Sequence, residues 1–339
     1  MDYHKLRQEL ECRNPLYFFH DDPDGLSSFL VLYRHIKEGK GIVVKSHPSV
    51  DGKFLRKVAE YHPDKIFILD LAAVSDDFLE EVKVPVVWVD HHMPQKPRGA
   101  HYFNPRLTTG NIPVSRVCYE AVKQDLWIAM TGIVGDWFYD PVAKAFSEAY
   151  PDLLPAHLRD PAQILFDTPI GKLARIFSFV LKGSTDDAMK CVKILTRIDQ
   201  PQEILDQTSS RGQYLYKRFE RINKEYQELY QQACAKASKS PFLTFVYPGS
   251  KMSFTGDLSN ELLYRFSEKT IIVGREKSGE VKCSVRSRVK ILPMVQKSLV
   301  GVRGYGGGHE YACGVAVHSE DFERWLASFQ ELVQDSKAL

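Results

Sequence analysis

The chain has 339 residues, of which 44% are hydrophobic and 26% charged, and its net charge is +2. This length allows two domains with cores of their own, and the balanced charge excludes a global basic field that would attract long nucleic acid or an anionic membrane. The six cysteines are scattered, the first residues lack the apolar core of a signal peptide, and no window approaches the roughly 18 apolar residues of a membrane span. We therefore expect a cytoplasmic protein with reduced thiols and no membrane partner.

The first half of the chain alternates short apolar runs with segments of helical periodicity. Strands are predicted at 15–20, 41–48, 64–72 and 84–92, and helices at 25–39, 51–62 and 75–83, with further helices between Pro113 and Thr196. Strands and helices in alternation indicate a parallel sheet that is covered on both faces. The predicted fold class of this half is therefore α/β.

A long helix is predicted next, from near Gln202. Apolar side chains recur along one helical face at steps of 4, 3, 4, 3 and 4, namely Leu215, Phe219, Ile222, Tyr226, Leu229 and Ala233. This stripe is typical of a helix packed along a domain edge, and a short dimerising coiled coil is the alternative. Its place in the chain favours a connector between two domains and leaves open a homodimer or a protein partner.

The pattern of strands restarts at Pro241 and predicts a smaller α+β domain. Strands are expected at 242–248 and 311–318, and a hairpin at 270–287 that turns at Lys277–Gly279. A helix at 257–269 is expected to be capped by Asp257 or Ser259, and Ser319 opens a final helix. The predicted division is a domain at 1–200, a connector at 201–240 and the smaller domain at 241–339.

Acidic and imidazole side chains collect where the predicted strands of the first domain end. Open parallel sheets bind their ligands at the carboxyl ends of the strands. The residues at these ends are His20, Asp22, Asp24, Asp70, Asp90, His91 and His92, and Asp136 follows a further apolar segment that could bring it to the same edge. So many neighbouring carboxylates repel one another strongly unless cations neutralise them.

This donor set predicts a metal site. Oxygen and imidazole ligands without thiolates suit Mn²⁺, Fe²⁺, Co²⁺ or Mg²⁺ better than a structural zinc site. The number of ligands suggests two ions, and a metal pair about 3.5–4 Å apart is a common arrangement for cleaving phosphate esters. Taken singly, the His20–Asp22 pair or Asp70 is explained as well by a helix cap. Their agreement in four segments favours a shared metal site.

The motifs that carry these residues resemble those of the DHH phosphoesterase superfamily, over nearly the whole chain. The similar segments are "HDDPDGLSS" (20–28), "LDLAAVS" (69–75), "VDHH" (89–92) followed by "FNPR" (103–106), and "GIVGDWF" (132–138). In addition, "CSVRS" (283–287) and "GYGGGHEYACG" (304–314) resemble the DHH-associated domain of one branch. That branch holds RecJ-like exonucleases, nano-RNases, phosphatases of 3′-phosphoadenosine 5′-phosphate and cyclic-dinucleotide phosphodiesterases. Trp137 departs from the threonine that is more common in the fourth motif.

The resemblance implies two ions that share Asp70 as a bridging ligand. The two ligand sets are His20, Asp22 and Asp70, and Asp24, Asp70, His91 and Asp136. His92 would contact the scissile phosphate or act as an acid, and Asp90 would orient the neighbouring imidazoles. The family usually uses manganese, so two Mn²⁺ ions are expected, with Mg²⁺ or Co²⁺ as alternatives. Asp21 is expected to point away from the ions.

Substrate contacts are expected mainly in the second domain. Consecutive glycines let backbone N–H groups approach an anion, as in phosphate-binding nests. The expected contacts are Gly306, Gly307, Gly308 and His309, with Arg303 beside them, Arg286 as a bidentate phosphate ligand, and Arg106 of the first domain. A glycine-rich turn with Arg286 on a solvated face is the alternative, and the resemblance favours substrate binding.

These expectations predict a metal-dependent phosphodiesterase whose two domains enclose a substrate cleft. It would release nucleoside monophosphates from short RNA or DNA by a two-metal mechanism. The balanced charge and the absence of spare length for a further nucleic-acid-binding domain favour short oligonucleotides or nucleotide-sized ligands over long strands. The alternatives are a cyclic-dinucleotide phosphodiesterase, a 3′-phosphoadenosine 5′-phosphate phosphatase and a non-catalytic replication scaffold.

Overall fold

The computed structural model describes residues 1–45, 49–249 and 252–338. The chain forms two compact units, Met1–Phe219 and Glu220–Leu339. The division falls inside a long helix, so the predicted three-part organisation with a separate connector stays a prediction. In the part of the chain that the structure describes, no helix is long and apolar enough to cross a bilayer. The six cysteines lie within the described residues and form no disulfide with one another.

The first unit is built around a five-stranded parallel sheet, which confirms the predicted α/β class. Its strands are β1 (Pro15–His20), β2 (Lys40–Val44), β3 (Ser49–Val50), β4 (Lys65–Leu69), β5 (Ala73–Val74), β6 (Val86–Val89) and β7 (Ala100–Phe103). The main sheet has the order β2-β1-β4-β6-β7, and β3 pairs separately with β5. Because all its strands are parallel, the carboxyl ends of β1, β4 and β6 meet at one edge.

Helices form the rest of this unit. They are α1 (Tyr3–Glu9), α2 (Pro23–Ile36), α3 (Leu55–Tyr61), α4 (Asp76–Glu81), α5 (Val114–Val122), α6 (Leu126–Gly135), α7 (Val142–Ala149), α8 (Pro161–Asp167), α9 (Pro169–Val180), α10 (Thr185–Leu195) and α11 (Gln202–Leu205). The predicted strand at 41–48 ends at Val44, and its last three residues lie outside the described residues. The strand β7 was not predicted, because it has only four residues and an exposed His101 in its middle.

The predicted connector helix exists as α12 (Ser210–Ala235). Five of the six apolar side chains of its stripe are buried within the chain, namely Leu215, Phe219, Ile222, Tyr226 and Ala233. The stripe therefore packs against its own chain and is not available to a dimerising coiled coil.

The second unit has a mixed five-stranded sheet, in agreement with the predicted α+β class. Its elements are β8 (Phe242–Pro248), α13 (Thr255–Arg265), β9 (Thr270–Lys277), β10 (Glu280–Arg286), α14 (Leu292–Ser298), β11 (Gly304–His309), β12 (Ala312–His318) and α15 (Phe322–Ala338). The order is β11-β12-β10-β9-β8, with β8 and β9 parallel and the other pairs antiparallel. One face of the sheet packs on α14 and α15, and its core includes Val285, Val315, Val295, Trp325 and Phe329.

Two local expectations in this unit are wrong. The helix α13 begins at Thr255, so Asp257 lies in its first turn and neither Asp257 nor Ser259 caps it. The glycine-rich segment is expected to form an anion-binding nest or a turn, but Gly304–His309 pairs residue by residue with β12 and forms the edge strand β11. Glycine lowers the stability of a strand only modestly, so backbone pairing with β12 decides the conformation.

A buried tryptophan anchors the turn that follows β4, where the acidic cluster lies. Trp88 of β6 donates its indole N–H to the carbonyl oxygen of Leu71 at 2.9 Å, and its ring packs on Tyr102 with centroids 4.8 Å apart. This hydrogen bond crosses from one strand to the residue after Asp70. It therefore couples the core of the sheet to the position of the Asp70 backbone.

Replacing Trp88 by Phe should lower the free energy of unfolding more than the same replacement at Trp127. Both rings are buried, but Trp127 Nε1 has no hydrogen-bond partner among the described residues. The Trp88→Phe variant should lose about 1–3 kcal/mol more, because it removes the donor of a buried carbonyl. Urea unfolding of both variants, followed by circular dichroism, measures the difference. Equal losses would show that the Trp88 hydrogen bond does not stabilise this turn.

Candidate metal centre

The end of β1 and the start of α2 bring His20 and Asp22 together. Asp22 is the N-cap of α2, where Oδ1 accepts a hydrogen bond from the Gly25 N–H at 2.9 Å. Its second oxygen, Oδ2, lies 2.7 Å from His20 Nδ1. A Cβ at Gly25 would lie 2.6–2.8 Å from His20 atoms, so only glycine lets the helix start this close to the strand. Asp22 thus caps the helix with one oxygen and faces the cluster with the other.

Asp24 is buried in the first turn of α2 and bonds to a helix far along the chain. Its carboxylate accepts hydrogen bonds from the backbone N–H of Val114 at 2.7 Å and of Ser115 at 2.9 Å, and from the Ser115 hydroxyl. These are the unsatisfied donors at the N-terminus of α5. Burial and the neighbouring Asp70 raise the pKa of Asp24 to about 7.

Asp70 occupies the centre of the cluster, directly after β4. Its backbone lies in the left-handed region at φ 57°, which costs a residue other than glycine about 1–3 kcal/mol. Asp70 Oδ1 lies 3.3 Å from His91 Nε2, and Oδ2 lies 3.4 Å from His20 Nδ1. Burial opposes ionisation of Asp70, but His20 and His91 outweigh it and hold the pKa of this carboxyl below its usual value.

The segment after β6 carries Asp90, His91 and His92. Asp90 is buried, and its Oδ1 lies 2.7 Å from His92 Nδ1 while its Oδ2 accepts the backbone N–H of His92 at 3.1 Å. Asp90 therefore fixes the orientation of the His92 ring and leaves Nε2 on the opposite edge. His91 is held differently, because its Nδ1 lies 3.0 Å from Asn111 Oδ1. Burial alone would lower the pKa of His91, but Asp70 raises it to about 10.

Two residues of the "FNPR" segment hold this loop in place. Asn104 Nδ2 donates to the carbonyl oxygen of His92 at 3.0 Å, and Arg106 Nε donates to the carbonyl oxygen of His91 at 2.5 Å. The predicted phosphate contact, Arg106, thus has one nitrogen committed to the loop. Its two Nη groups form no hydrogen bond with the described residues, so the guanidinium keeps donors for an anion.

The fourth motif closes the cluster at the end of α6. Asp136 is the C-cap residue of α6, and its Oδ2 lies 3.6 Å from His91 Nδ1. Burial and the charge of Asp24 raise the pKa of Asp136. The next residue, Trp137, has φ 56° and packs edge to face on Phe166. The αL conformation of a bulky side chain beside a charged cluster is strained.

The donors assemble into three groups in which the ligand atoms lie within 4.8 Å of one another. The groups are His20, Asp22 and Asp70; Asp24, His91 and Asp136; and Asp70, His91 and His92. The first group has the same residues as one ligand set that the resemblance implies, and the second has three of the four residues of the other set, without Asp70. The assignment of these residues as ligands therefore stays a prediction. Two observations fit divalent ions: the donors are oxygens and imidazoles, and the buried Asp70 Oδ1 accepts no hydrogen bond of good geometry among the described residues, although His91 Nε2 lies 3.3 Å away. Ion binding would satisfy this oxygen and neutralise the carboxylates.

Some neighbours of the cluster differ from expectation or were not predicted. Asp21 Oδ1 lies 3.7 Å from His20 Nε2, so the Asp21 side chain faces the edge of the cluster, although it was expected to point away. Asn111 and Ser115 contact His91 and Asp24, and no motif in the sequence marks either of them. Asn104 lies in the "FNPR" segment, which is the only sequence signal for it.

The candidate substrate residues of the second unit fall into two places. Arg286, Ala312 and His309 are register partners on three adjacent strands, so the arginine and the histidine lie on one face of the sheet. Arg286 Nε donates to Asn260 Oδ1 at 2.7 Å, and its Nη1 donates to the carbonyl oxygen of Val285 at 3.0 Å. Arg303 lies six residues before His309, about 20 Å along the strand, and pairs with Asp321 and Glu320 at 2.7 Å each.

The expected phosphate nest is not formed by the three glycines. Gly306, Gly307 and Gly308 continue the strand β11, and only Gly308 has a positive φ, of 140°. A nest needs successive residues of αR and αL conformation, which strand pairing prevents. Any contact of these glycines with an anion would therefore come from the face or the free edge of a strand.

The sequence matches the models of two protein domains, one in each unit of the structure. The "DHH family, N-terminal domain" matches residues 16–135, and the "DHHA1 domain" matches residues 241–335. Together they cover well over half of the chain, and the chain belongs to the DHH phosphoesterase superfamily. No curated protein sequence matches the chain.

Solved structures share the fold at low sequence identity. RecJ from Thermus thermophilus in complex with Mn²⁺ has a TM-score of 0.68 and 16% identity, and the match covers 98% of this chain and 54% of that chain. The chain thus spans about half the length of that RecJ. An exonuclease RecJ bound to manganese has a TM-score of 0.62 and 16% identity, with 98% and 93% covered. A pGpG-specific phosphodiesterase, PggH from Vibrio cholerae, has a TM-score of 0.52 and 14% identity, with 95% and 99% covered.

Metal binding should weaken as the pH falls. In the metal-free protein the pKa of Asp24 is about 7 and that of His91 about 10, so both groups hold protons at low pH and must release them to bind an ion. The proton that Asp24 loses between pH 6 and pH 8 is by itself enough to raise the affinity for Mn²⁺ about ten-fold over this range. Titration calorimetry in buffers of different ionisation enthalpy measures both affinity and proton release. A pH-independent affinity without proton release would contradict this description of the cluster.

Proposed function

We propose that the chain is a divalent-metal-dependent phosphodiesterase that acts on short oligonucleotides. The observation that carries the proposal is the position of Asp70, a buried carboxylate that contacts His20 and His91 and lies among further oxygen and imidazole donors. When bound, a pair of divalent ions would supply an activated water and would neutralise the charge that builds up on the phosphate. Two Mn²⁺ ions are the proposed cofactors, and both RecJ structures above contain manganese.

The protein groups of the first unit would then position the phosphate and the leaving group. Asp90 holds His92 Nδ1 at 2.7 Å, so the opposite ring nitrogen is free to donate a proton to the leaving oxygen or to contact the scissile phosphate. The Nη groups of Arg106 would add donors on the same loop, since its Nε already fixes the loop through His91. Each of these groups is oriented before substrate arrives, which favours catalysis by positioning.

The second unit would bind a further phosphate of the substrate through Arg286 and His309, which share one face of its sheet. Burial lowers the pKa of Arg286, and the charge of Asp257 offsets this only in part. An anionic ligand would complete the neutralisation of this buried guanidinium. We leave Arg303 out of the proposed contacts, because Asp321 and Glu320 already neutralise it.

The net charge of +2 favours short substrates. Binding of long strands usually depends on many phosphate contacts from a basic groove. Cyclic dinucleotides and nucleotide 3′-phosphates would use the same metal chemistry, so they are the competing substrates. The competing non-catalytic role is that of a scaffold protein.

A substrate panel with Mn²⁺ tests the proposal on wild type, Asp70→Asn and Asp77→Asn. The panel holds oligonucleotides of RNA and DNA from two to thirty nucleotides, cyclic dinucleotides and 3′-phosphoadenosine 5′-phosphate. Asparagine tolerates the αL backbone of Asp70 but removes its charge, so Asp70→Asn should lower turnover about a thousand-fold or more, equivalent to about 4 kcal/mol of activation free energy. Asp77 is an exposed acid in the first turn of α4, and its variant should keep wild-type turnover.

The outcomes separate the competing functions. Fastest cleavage of oligonucleotides below about ten residues supports the proposal. Preference for longer strands, for cyclic dinucleotides or for the nucleotide 3′-phosphate would replace the proposed substrate. No turnover of any member by the metal-loaded wild type would reject the enzymatic function and favour a scaffold.

Replacing Asp90 by Asn should mainly lower kcat. The change weakens the hold on His92 Nδ1 without removing a proposed ion ligand, and loss of such an orienting carboxylate typically costs about 10- to 100-fold. The KM for a dinucleotide and the Mn²⁺ affinity should stay close to the wild-type values. Steady-state kinetics and metal titration measure the two effects. A loss of Mn²⁺ affinity that accounts for the whole effect would mean that Asp90 acts on the metal ligands and not on His92.

A further inference from the structure

One face of the sheet in the second unit is partly uncovered. The other face forms the core with α14 and α15. On the partly uncovered face, α13 packs against β9 and β10. Beyond α13, this face of β10, β12 and β11 includes the small residues Ser284, Gly314 and Gly307. A Cβ added at Gly307 or Gly314 would meet nothing within 4 Å, whereas one at Gly306 or Gly308 would collide with backbone atoms of β12. Gly307 and Gly314 therefore open onto free space.

The register places these small residues in one row across the strands. Gly307 pairs with Gly314, and Gly314 pairs with Ser284, so the three lie side by side on the uncovered face. We call this row of three residues the transverse groove. Neighbouring strands are about 4.8 Å apart, so its floor is about 10 Å long. A floor of two glycines and a serine accepts a flat group close to the backbone.

The two rows that flank the floor differ in chemistry. Tyr305 lies two residues before Gly307 on the same face, and its side chain is 65% exposed. His309 lies two residues after Gly307, in the row that also contains Arg286. The two rows are about 13 Å apart at the rise of a strand. The row of Tyr305 also contains Ala316 and Lys282. An exposed aromatic ring and a lysine therefore stand on one side of the floor, and an arginine and an imidazole stand on the other.

We infer that the transverse groove binds the nucleoside of the substrate, with its base stacked on Tyr305. A nucleotide carries its flat base and its phosphate at opposite ends of the ribose, which matches Tyr305 on one side of the floor and Arg286 with His309 on the other. A largely exposed ring face can stack on any of the bases. Tyr305 would therefore favour substrates that carry a base, without distinguishing one base from another. This inference rests on the proposed function, since it names the nucleoside as the recognised part of that substrate.

The test compares binding of 5′-AMP and ribose 5-phosphate to the full Mn²⁺-loaded chain by titration calorimetry. Both ligands carry the same phosphate, so contributions from the ions and from Arg286 cancel in the ratio of affinities. Wild type should bind 5′-AMP about ten-fold more tightly than ribose 5-phosphate. Tyr305→Ala should lose this preference, and Tyr305→Phe should keep it because the ring remains. Tyr214→Ala removes another exposed tyrosine, on α12, and should change nothing.

A second variant tests the floor independently. The Gly314→Val side chain would enter open space, so the strand should still form, but it would fill the groove and abolish the preference for 5′-AMP. Equal wild-type affinities for the two ligands, or a preference that survives both Tyr305→Ala and Gly314→Val, would overturn the inference. Failure of the proposed function is distinguishable, because it would appear as absent turnover in the substrate panel and not as a change in this ratio.

Discussion

The charge of one buried carboxylate governs the organisation of the first unit. Asp70 lies at the end of a central strand, away from solvent, with imidazoles on both sides. Burying a charge is costly unless opposite charges or ions compensate for it. In the metal-free protein His20 and His91 provide part of this compensation, and they hold the pKa of Asp70 down. The remaining carboxylates raise the negative charge further, which is why a divalent pair would fit the cluster so well.

The fold delivers these groups through features that serve stability at the same time. Asp22 caps α2, Asp24 bonds to the N-terminus of α5, and Asp90 orients His92. Removing such a carboxylate would therefore affect both ion binding and folding, and isosteric amides separate the two effects better than alanine. The second unit differs, because one face of its sheet forms the core and the other has open space at Gly307 and Gly314.

Much of this could be read from the sequence, because apolar runs that end in ligand-type residues mark the carboxyl edge of a parallel sheet. The fold class and the family followed from the same motifs. Long-range contacts could not be predicted: Asp24 bonds to Ser115, 91 residues away, and Asn111 contacts His91 from a segment without a motif. The glycine-rich segment is expected to form an anion-binding nest or a turn, since glycine is typical of turns, whereas pairing with β12 makes it a strand. Sequence periodicity also gave no sign that Tyr305 borders an open floor.

The number of ions bound per chain tests the central claim most directly. Purified protein, saturated with Mn²⁺ and freed of excess metal, is measured by elemental analysis beside the Asp70→Asn variant. Two ions per chain in the wild type, with at least one lost in the variant, is the predicted result. A wild type that binds no ion, or that binds one or two ions unaffected by the loss of the Asp70 charge, would contradict the account.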